Sequence, residues 1–233
     1  MRIGVVGVPG KMASRVVALG GSEIAATLTE TDTPDFTKAD VWIEFAVAEA
    51  TPHSIAHARS AKRALVVCTT GLSEETIRAA NAAAADIPIM VAANTSLGVA
   101  VLAAAVRLAV KALPDYACEI VELHHGQKRD APSGTALRLA NAVRAERTDA
   151  QLVTGREGLV GARKPNELGV HAVRGGGVVG EHTVYLFGEH ERIELTHRAQ
   201  DRDLFAHGAL TAARWLSTQR PGFYTIEQCL ELP

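Results

Sequence analysis

The sequence predicts an α/β protein in two parts: a parallel sheet covered by helices on both faces, then an α+β part built on a mixed sheet. Over the first 93 residues, short β-branched apolar runs alternate with alanine-rich stretches of helical spacing. The first of these runs ends in a glycine-containing turn that opens a helix. From about residue 116 the texture changes to alternating apolar and polar runs, two of them joined by a tight Gly188-Glu189-His190 turn suited to a hairpin. We place one domain at residues 1–96, completed by 203–233, and a second at 97–202.

RIGVVGV (2–8) reads as the first strand, and PGKMASRVVALGG (9–21) as a helix that stops at Gly20-Gly21. EIAATLT (23–29), DVWIEFA (40–46), ALVVCTT (64–70) and IPIMVAA (87–93) read as buried strands, with helices at 52–62 and 73–85. Near-continuous apolar strands fit a parallel sheet, whose crossovers cover both faces. TETDTPDFTKA (29–39) carries Pro34 and several turn formers, so a reduced connection replaces a full helix there. LGVAVLAAAVRLAVKAL (97–113) is a buried helix, since Arg107 and Lys111 interrupt what would otherwise approach a membrane span. CEIVELHH (118–125) is a strand, and SGTALRLANAVRAER (133–147) is an amphipathic helix. The Gly- and charge-rich stretch 154–169 is an excursion loop, followed by strands in VHAVRGG (170–176), EHTVYLFG (181–188) and ERIELTHRA (191–199). FAHGALTAARWLSTQ (205–219) returns to helix, and FYTIEQCLEL (223–232) closes in a short strand or turn.

A chain of 233 residues can bury one large core or two modest ones. With 47% apolar residues, 21% charged residues and a net charge of -2, it reads as an ordinary soluble globular protein. Lys and Arg are spread along the chain without a basic block, which argues against nucleic acid as a partner. The start, MRIGVVGVPG, lacks a signal-peptide pattern. Cys68, Cys118 and Cys229 lie far apart, with neither a CxxC pair nor a zinc-like His spacing. They read as small buried residues in a reducing compartment, so the expectation is a cytoplasmic protein without a membrane anchor or a structural metal.

VVGVPGKMA (5–13) lies between the first strand and the first helix. Gly7 and Gly10 supply a tight turn and close backbone approach, and Ala13 stands where a third glycine of G-x-x-G-x-x-G would be. Such a turn presents N–H groups and the positive end of the helix dipole to a pyrophosphate. Two glycines alone are weak; their place at the first strand of an alternating pattern is what points to a dinucleotide. Lys11 is either a phosphate contact or simply solvated. At the tip of the second strand, the acid expected on the adenosine ribose is either replaced by Thr29 or displaced to Glu30, which leaves NADH and NADPH both open.

HHGQKRDAPSGT (124–135) concentrates titratable groups where a strand ends, the usual place for an α/β ligand. Successive strand side chains point to opposite faces, so His124 and His125 address different parts of a ligand. Lys128 follows two flexible residues and can swing into the same space. Asp130 precedes Ala131-Pro132, and Ser133 is a helix N-cap. The N–H groups of Ser133, Gly134 and Thr135 then form an anion hole at a helix start, which together with a lysine suits a small-molecule dicarboxylate. Taken singly, each of these residues is as well explained by turn and capping chemistry; the cluster is not.

ELHHGQKRDAPSGTA resembles the signature of the dihydrodipicolinate reductase family, a specific match supported along essentially the whole chain. GVPGKM resembles the family's cofactor loop, CTTG (68–71) its G-T-T-G segment, AANTSLGV (92–99) its A-N-F-S-x-G-V segment, and the stretch from VGEHTVYLF to FAHGAL its late sheet and final helix. The resemblance implies a Rossmann-like first domain and NAD(P)H-dependent reduction of the dehydrated 4-hydroxy-tetrahydrodipicolinate ring. It implies His124 as general acid/base, Lys128 as proton donor, and His125 with the Gly134-Thr135 backbone on the substrate carboxylates. Gly7, Val8, Pro9, Gly10, Lys11, Met12, Cys68, Thr69, Thr70, Ala92, Ala93, Asn94 and Thr95 would line NADH or NADPH, and four copies would assemble through the sheet of the second domain. Arg202 and Phe205 match a further segment near the domain boundary. Cys68 stands where the family has glycine, Thr95 where it has phenylalanine, and Gln127 where it often has histidine. A different oxidoreductase of this two-domain plan, or a nucleotide-sensing protein without catalysis, are the rival readings.

Overall fold

The expected alternation of buried runs and helices is what forms. In a computed structural model describing residues 1–29 and 32–232, β1 (Ile3–Val6), α1 (Lys11–Gly20), β2 (Ile24–Leu28), β3 (Val41–Glu44), α2 (Thr51–Ala61), β4 (Ala64–Val67), α3 (Glu74–Ala83) and β5 (Pro88–Val91) succeed one another. Then come α4 (Leu97–Ala112), β6 (Ala117–His124), α5 (Gly134–Glu146), β7 (Gln151–Val153), β8 (Glu167–Arg174), β9 (Gly180–Phe187) and β10 (Arg192–Ala199). α6 (Asp203–Leu216), β11 (Gly222–Tyr224) and α7 (Ile226–Cys229) complete the chain. The described chain divides into two compact units, Met1–Leu97 with Asp203–Leu232, and Gly98–Arg202.

In the first unit the sheet runs β2-β1-β3-β4-β5-β11, with every pairing parallel. The order reverses at β1, and the turn after β1 opens over that switch point, where ligands of such sheets bind. Trp42 is fully buried and donates its indole N–H to Phe36 O at 2.9 Å, so the reduced 29–39 connection is pinned from beneath. A single 3-10 turn at Phe36–Lys38 stands in the described part of that connection in place of a crossover helix. α2 and α3 cover one face, while α6 joins α1 on the other. The N-terminal sheet is therefore completed by the C-terminal segment.

In the second unit the order is β10-β9-β6-β8-β7, with β6–β8 and β8–β7 parallel and the other pairings antiparallel. The side-chain period of two makes the register informative. Leu168, Cys118, Leu186 and Ile193 form one rung across the sheet, and Val170, Ile120, Val184 and Leu195 the next. This apolar face packs on α4 and α5. One rung further, Ala172, Glu122, His182 and His197 stand in line, and beyond them Arg174 pairs with His124. The core face thus turns polar at the end of β6. On the opposite face, Glu119 anchors the excursion loop: Arg156 reaches it at 2.9 Å, Arg163 at 3.0 Å and His171 at 2.9 Å. Burial works against the Glu119 charge, but these donors prevail and hold its pKa at about 2.

Gly208 marks where α6 meets the strand-end segment of its own unit, since a Cβ there would lie 1.7 Å from Thr95 O. Glycine-to-alanine inside an open helix stabilises by about 0.5–1 kcal/mol. Here the sign reverses: Gly208→Ala should cost roughly 1–3 kcal/mol through overpacking, read as a lower midpoint in urea or thermal unfolding. An unchanged or raised midpoint would show that this close approach does not constrain the fold.

Candidate active site

The turn after β1 is shaped by Gly7, whose φ of 100° and whose Cβ position, 2.0 Å from Phe45 O, both exclude any side chain. Its backbone differs from the sequence expectation in one respect. Gly7 N–H and Val8 N–H donate to Leu28 O at 3.0 and 3.2 Å, Gly10 N–H donates to Gly7 O at 2.8 Å, and Pro9 has no N–H. None of Gly7, Val8, Pro9 or Gly10 therefore offers a donor to a phosphate. The anion-binding capacity moves to the first turn of α1, at Lys11, Met12 and Ala13, where N–H groups have no intrahelical acceptor. Gly10 caps that helix without a side chain, and no acid stands in its first turn. The donors and dipole there fit an anionic pyrophosphate.

A cavity of about 410 Å³ opens beside this turn. Of the residues expected at a cofactor, Gly10, Lys11, Met12, Cys68, Thr69, Thr70, Ala92, Ala93 and Thr95 line it, joined by Phe45, Ala46 and Phe205. Thr69 is buried, and its hydroxyl donates to Glu44 Oε2 at 2.6 Å while accepting Ala46 N–H at 3.0 Å, so it braces the cavity wall. Thr95 also turns inward, donating to Phe205 O at 2.6 Å. Asn94 lies outside the lining, and its side chain accepts Ser96 N–H at 2.8 Å, shaping its own turn. Burial, and after it the Glu44 charge, push the Cys68 thiol well above its ordinary pKa, so Cys68 packs as a neutral group. At the tip of β2, Glu30 lies outside the described residues, and Thr29 donates its N–H to Asp32 Oδ2 at 2.7 Å. Asp32 is an exposed acid at this tip that the sequence pattern did not single out.

In the second unit, Glu122 has no exposed surface. Its Oε1 accepts Ser133 N–H at 3.1 Å and Arg174 Nη2 at 2.8 Å, while Oε2 pairs closely with His124 Nδ1. Burial opposes its charge, yet Arg174, Ser133 N–H and His124 outweigh burial and hold the carboxyl below its usual range. Burial lowers the His124 pKa, and Lys128 and Arg174 lower it further against the pull of Glu122, so the ring is neutral near pH 7. His182 is likewise buried; its Nε2 lies 3.1 Å from Ser133 Oγ, and its ring meets His124 edge-on at 5.1 Å. Burial, then His124, bring its pKa down to about 4. Donor atoms of Glu122, His124 and His182 lie within 4.8 Å of one another, a spacing that admits a cation. The Arg174 guanidinium already neutralises that carboxylate, which disfavours one.

Ser133 differs from expectation too. It is buried, its N–H is spent on Glu122 and its hydroxyl accepts Ala136 N–H at 3.1 Å, so it builds the helix start and is not a ligand donor. Gly134 is exposed at that start and Thr135 is half-buried beside it. His125 has left the strand face: its N–H donates to Val178 O at 2.8 Å, and its Nε2 lies 3.5 Å from Arg202. Lys128 Nζ pairs with Asp130 Oδ1 at 2.8 Å. Glu122, Arg174 and His182 were missed from the sequence. Polar residues continuing the Cys118-Ile120 and Val184-Leu186 series onto a buried face were the available sign.

Residues 18–95 match the family model described as Dihydrodipicolinate reductase, N-terminus, and residues 98–230 that described as Dihydrodipicolinate reductase, C-terminus. The 4-hydroxy-tetrahydrodipicolinate reductase of Campylobacter concisus is 43% identical over 254 residues, covering 100% of this chain and 99% of that protein. That of Archaeoglobus fulgidus is 46% identical over 198 residues, 83% of this chain and 76% of the relative. A dipicolinate-bound dihydrodipicolinate reductase from Paenisporosarcina sp. TG-14 matches with a TM-score of 0.77 at 21% identity, over 97% of each chain. Aspartate semialdehyde dehydrogenase II of Vibrio cholerae matches at 0.57 and 11% identity, over 92% of this chain and 97% of its own. At such identities the structural likeness is one of fold.

The buried histidine has a consequence for stability. An unfolded histidine titrates near 6.5, so with a folded pKa of about 4 His182 takes up a proton more readily in the unfolded chain. Its contribution is fully present above about pH 6.5 and is lost as the pH falls towards 4, on the order of 3 kcal/mol in all. Calorimetric midpoints should drop by several degrees across that window, and His182→Gln should flatten the slope. A wild-type midpoint constant from pH 7 to 4 would overturn this assignment.

Proposed function

The chain belongs to the dihydrodipicolinate reductase family, and from that premise we propose how its residues divide the work. It is an oxidoreductase that reduces the dehydrated 4-hydroxy-tetrahydrodipicolinate ring to tetrahydrodipicolinate with a pyridine nucleotide, a step of lysine and diaminopimelate biosynthesis. The nucleotide would be held in the first unit by the α1 first turn and by Met12, Cys68, Thr70, Ala92 and Ala93 on the cavity wall. When bound, NADH or NADPH supplies hydride to C4 of the ring. The exposed Asp32 carboxylate suits a ribose hydroxyl and repels a phosphate, which favours NADH. Asp32→Ala should raise kcat/KM for NADPH relative to NADH; an unchanged ratio removes Asp32 from the choice.

The substrate is doubly anionic. Gly134 and Thr135 at the α5 start, with His125, take its carboxylates, since an anion at a helix N-terminus gains about 0.3–1 kcal/mol when exposed and more when dry. Hydride arrival leaves negative charge on the ring, and a cation beside it stabilises that charge before yielding a proton. Lys128 is that cation. Its partner Asp130 is exposed, so an incoming carboxylate can compete for the ammonium. His124, neutral at rest, is the second proton-transfer group. The observation that carries this assignment is the gathering of His124, Arg174 and the α5 start around one buried carboxylate, with Lys128 near enough to His124 to lower its pKa. Four copies would associate in the cytoplasm through the sheet face that bears stacked Tyr185 and Phe187 and exposed Val173.

Lys128→Ala should lower kcat by roughly 10²–10⁴-fold while cofactor affinity, measured by fluorescence titration, stays within a few-fold. Turnover is read as coupled oxidation of each cofactor with freshly made synthase product. Equal losses in kcat and cofactor affinity would refute the role.

A further inference from the structure

If His124 transfers a proton, as the proposed function has it, one ring nitrogen must be held and the other left open. Glu122 Oε1 is saturated by two donors, Ser133 N–H and Arg174 Nη2, so only Oε2 remains to meet the ring. Oε2 pairs with Nδ1. Flipping the ring would set a carbon against the carboxylate, and an ionised carboxylate can only accept, so Nδ1 carries a proton. The ring is walled on its edge by His182 at 5.1 Å. Nε2 lies over Gly180, where a Cβ would sit 3.0 Å away, so a bare backbone borders the working nitrogen.

We propose that Glu122 is a positioning residue that fixes His124 in the Nδ1–H tautomer and thereby presents Nε2 as the nitrogen exchanging a proton at the substrate. This rests on the proton-transfer role of His124. When Nε2 takes up a proton, the ring becomes an imidazolium against the Glu122 carboxylate. When it gives the proton up, the Nδ1–H contact is unchanged. No bond other than Nε2–H forms or breaks in the enzyme. The groups facing the ring divide by sign: Glu122 on β6 favours the imidazolium, while Arg174 on β8 and Lys128 in the loop after β6 oppose it, and His182 on β9 stays neutral. Arg174 therefore keeps Glu122 charged without letting His124 remain protonated.

Glu122→Gln in the full-length enzyme separates the possibilities. The amide oxygen replaces Oε1 towards Arg174 and Ser133 N–H, which turns the NH₂ towards His124 and forces Nδ1 to accept. The tautomer should invert to Nε2–H, visible by ¹⁵N NMR of the ring. kcat should fall by on the order of 10²-fold or more, as general acid–base contributions and the amide substitution of another orienting carboxylate suggest, with cofactor KM within a few-fold. The acid limb of the pH–rate profile should move to lower pH, because the carboxylate that favours the imidazolium is gone. Wild-type enzyme at pH 7.5 should show Nδ1–H, a measurement that decides the matter even if the variant does not fold. Nε2–H in the wild type overturns the proposal, as does a Glu122→Gln enzyme with wild-type kcat alongside a crippled His124→Gln. Full activity in His124→Gln instead removes the proton-transfer role itself.

Discussion

An ionised carboxylate shut off from water costs several kcal/mol unless every lone pair is matched. Glu122 is in that position, and its partners come from three separate stretches of chain. His124 is two residues away on the same strand, Arg174 sits on the parallel neighbour β8, and Ser133 opens α5. One buried charge therefore ties together the end of the central strand, the strand beside it and the start of the helix that covers them. Because the Ser133 N–H is fixed on Glu122, the exposed Gly134 next to it is fixed too. The start of α5 and the His124 ring share one anchor, so neither can drift without the other.

The charges around that anchor fall into two kinds. Arg174 and Glu122 are shielded, and removing either leaves an unpaired charge, so they belong to the frame. Lys128 and Asp130 form an outer pair with Asp130 mostly in solvent, and such pairs are worth about 0–1 kcal/mol. A weak outer pair can yield its cation to a dianionic ligand, whereas a strong one would compete with it. Burial thus decides which cation stays and which is free to act.

Most of the architecture was legible because it obeys local periodicity: strand runs that end in glycine or turn formers, and a helix opened by the Ser133 cap. The HHGQKRDAPSGT cluster was legible because its residues are neighbours in sequence. Glu122, Arg174 and His182 were not, since they converge only once β6, β8 and β9 are placed in register. Ser133 was read as an open donor because an N-cap looks the same in sequence whether its own N–H faces solvent or a buried carboxylate. The same limit applies to Gly7 and Val8, whose N–H groups are consumed by Leu28 O of a strand distant in sequence. β7 escaped because three residues carry no periodicity.

The first unit contains a second fully buried carboxylate, and the contrast shows what Arg174 does. Glu44 is contacted by Thr51 Oγ1 at 2.8 Å and Thr69 Oγ1 at 2.6 Å, hydroxyls without charge. Burial raises its pKa because these hydrogen bonds do not offset the lost hydration. Glu122 pairs with a guanidinium and a backbone N–H besides His124, and its pKa falls. Two glutamates with no exposed surface are therefore driven in opposite directions, the one among charged and backbone donors downward and the one among hydroxyls upward. At the cavity wall, Glu44 accepts from the Thr51 and Thr69 hydroxyls and so braces Thr69 against the end of β3. Beside His124 a permanent negative charge is needed, because only an acceptor without a proton of its own can hold a ring nitrogen in a single tautomer through a cycle of protonation.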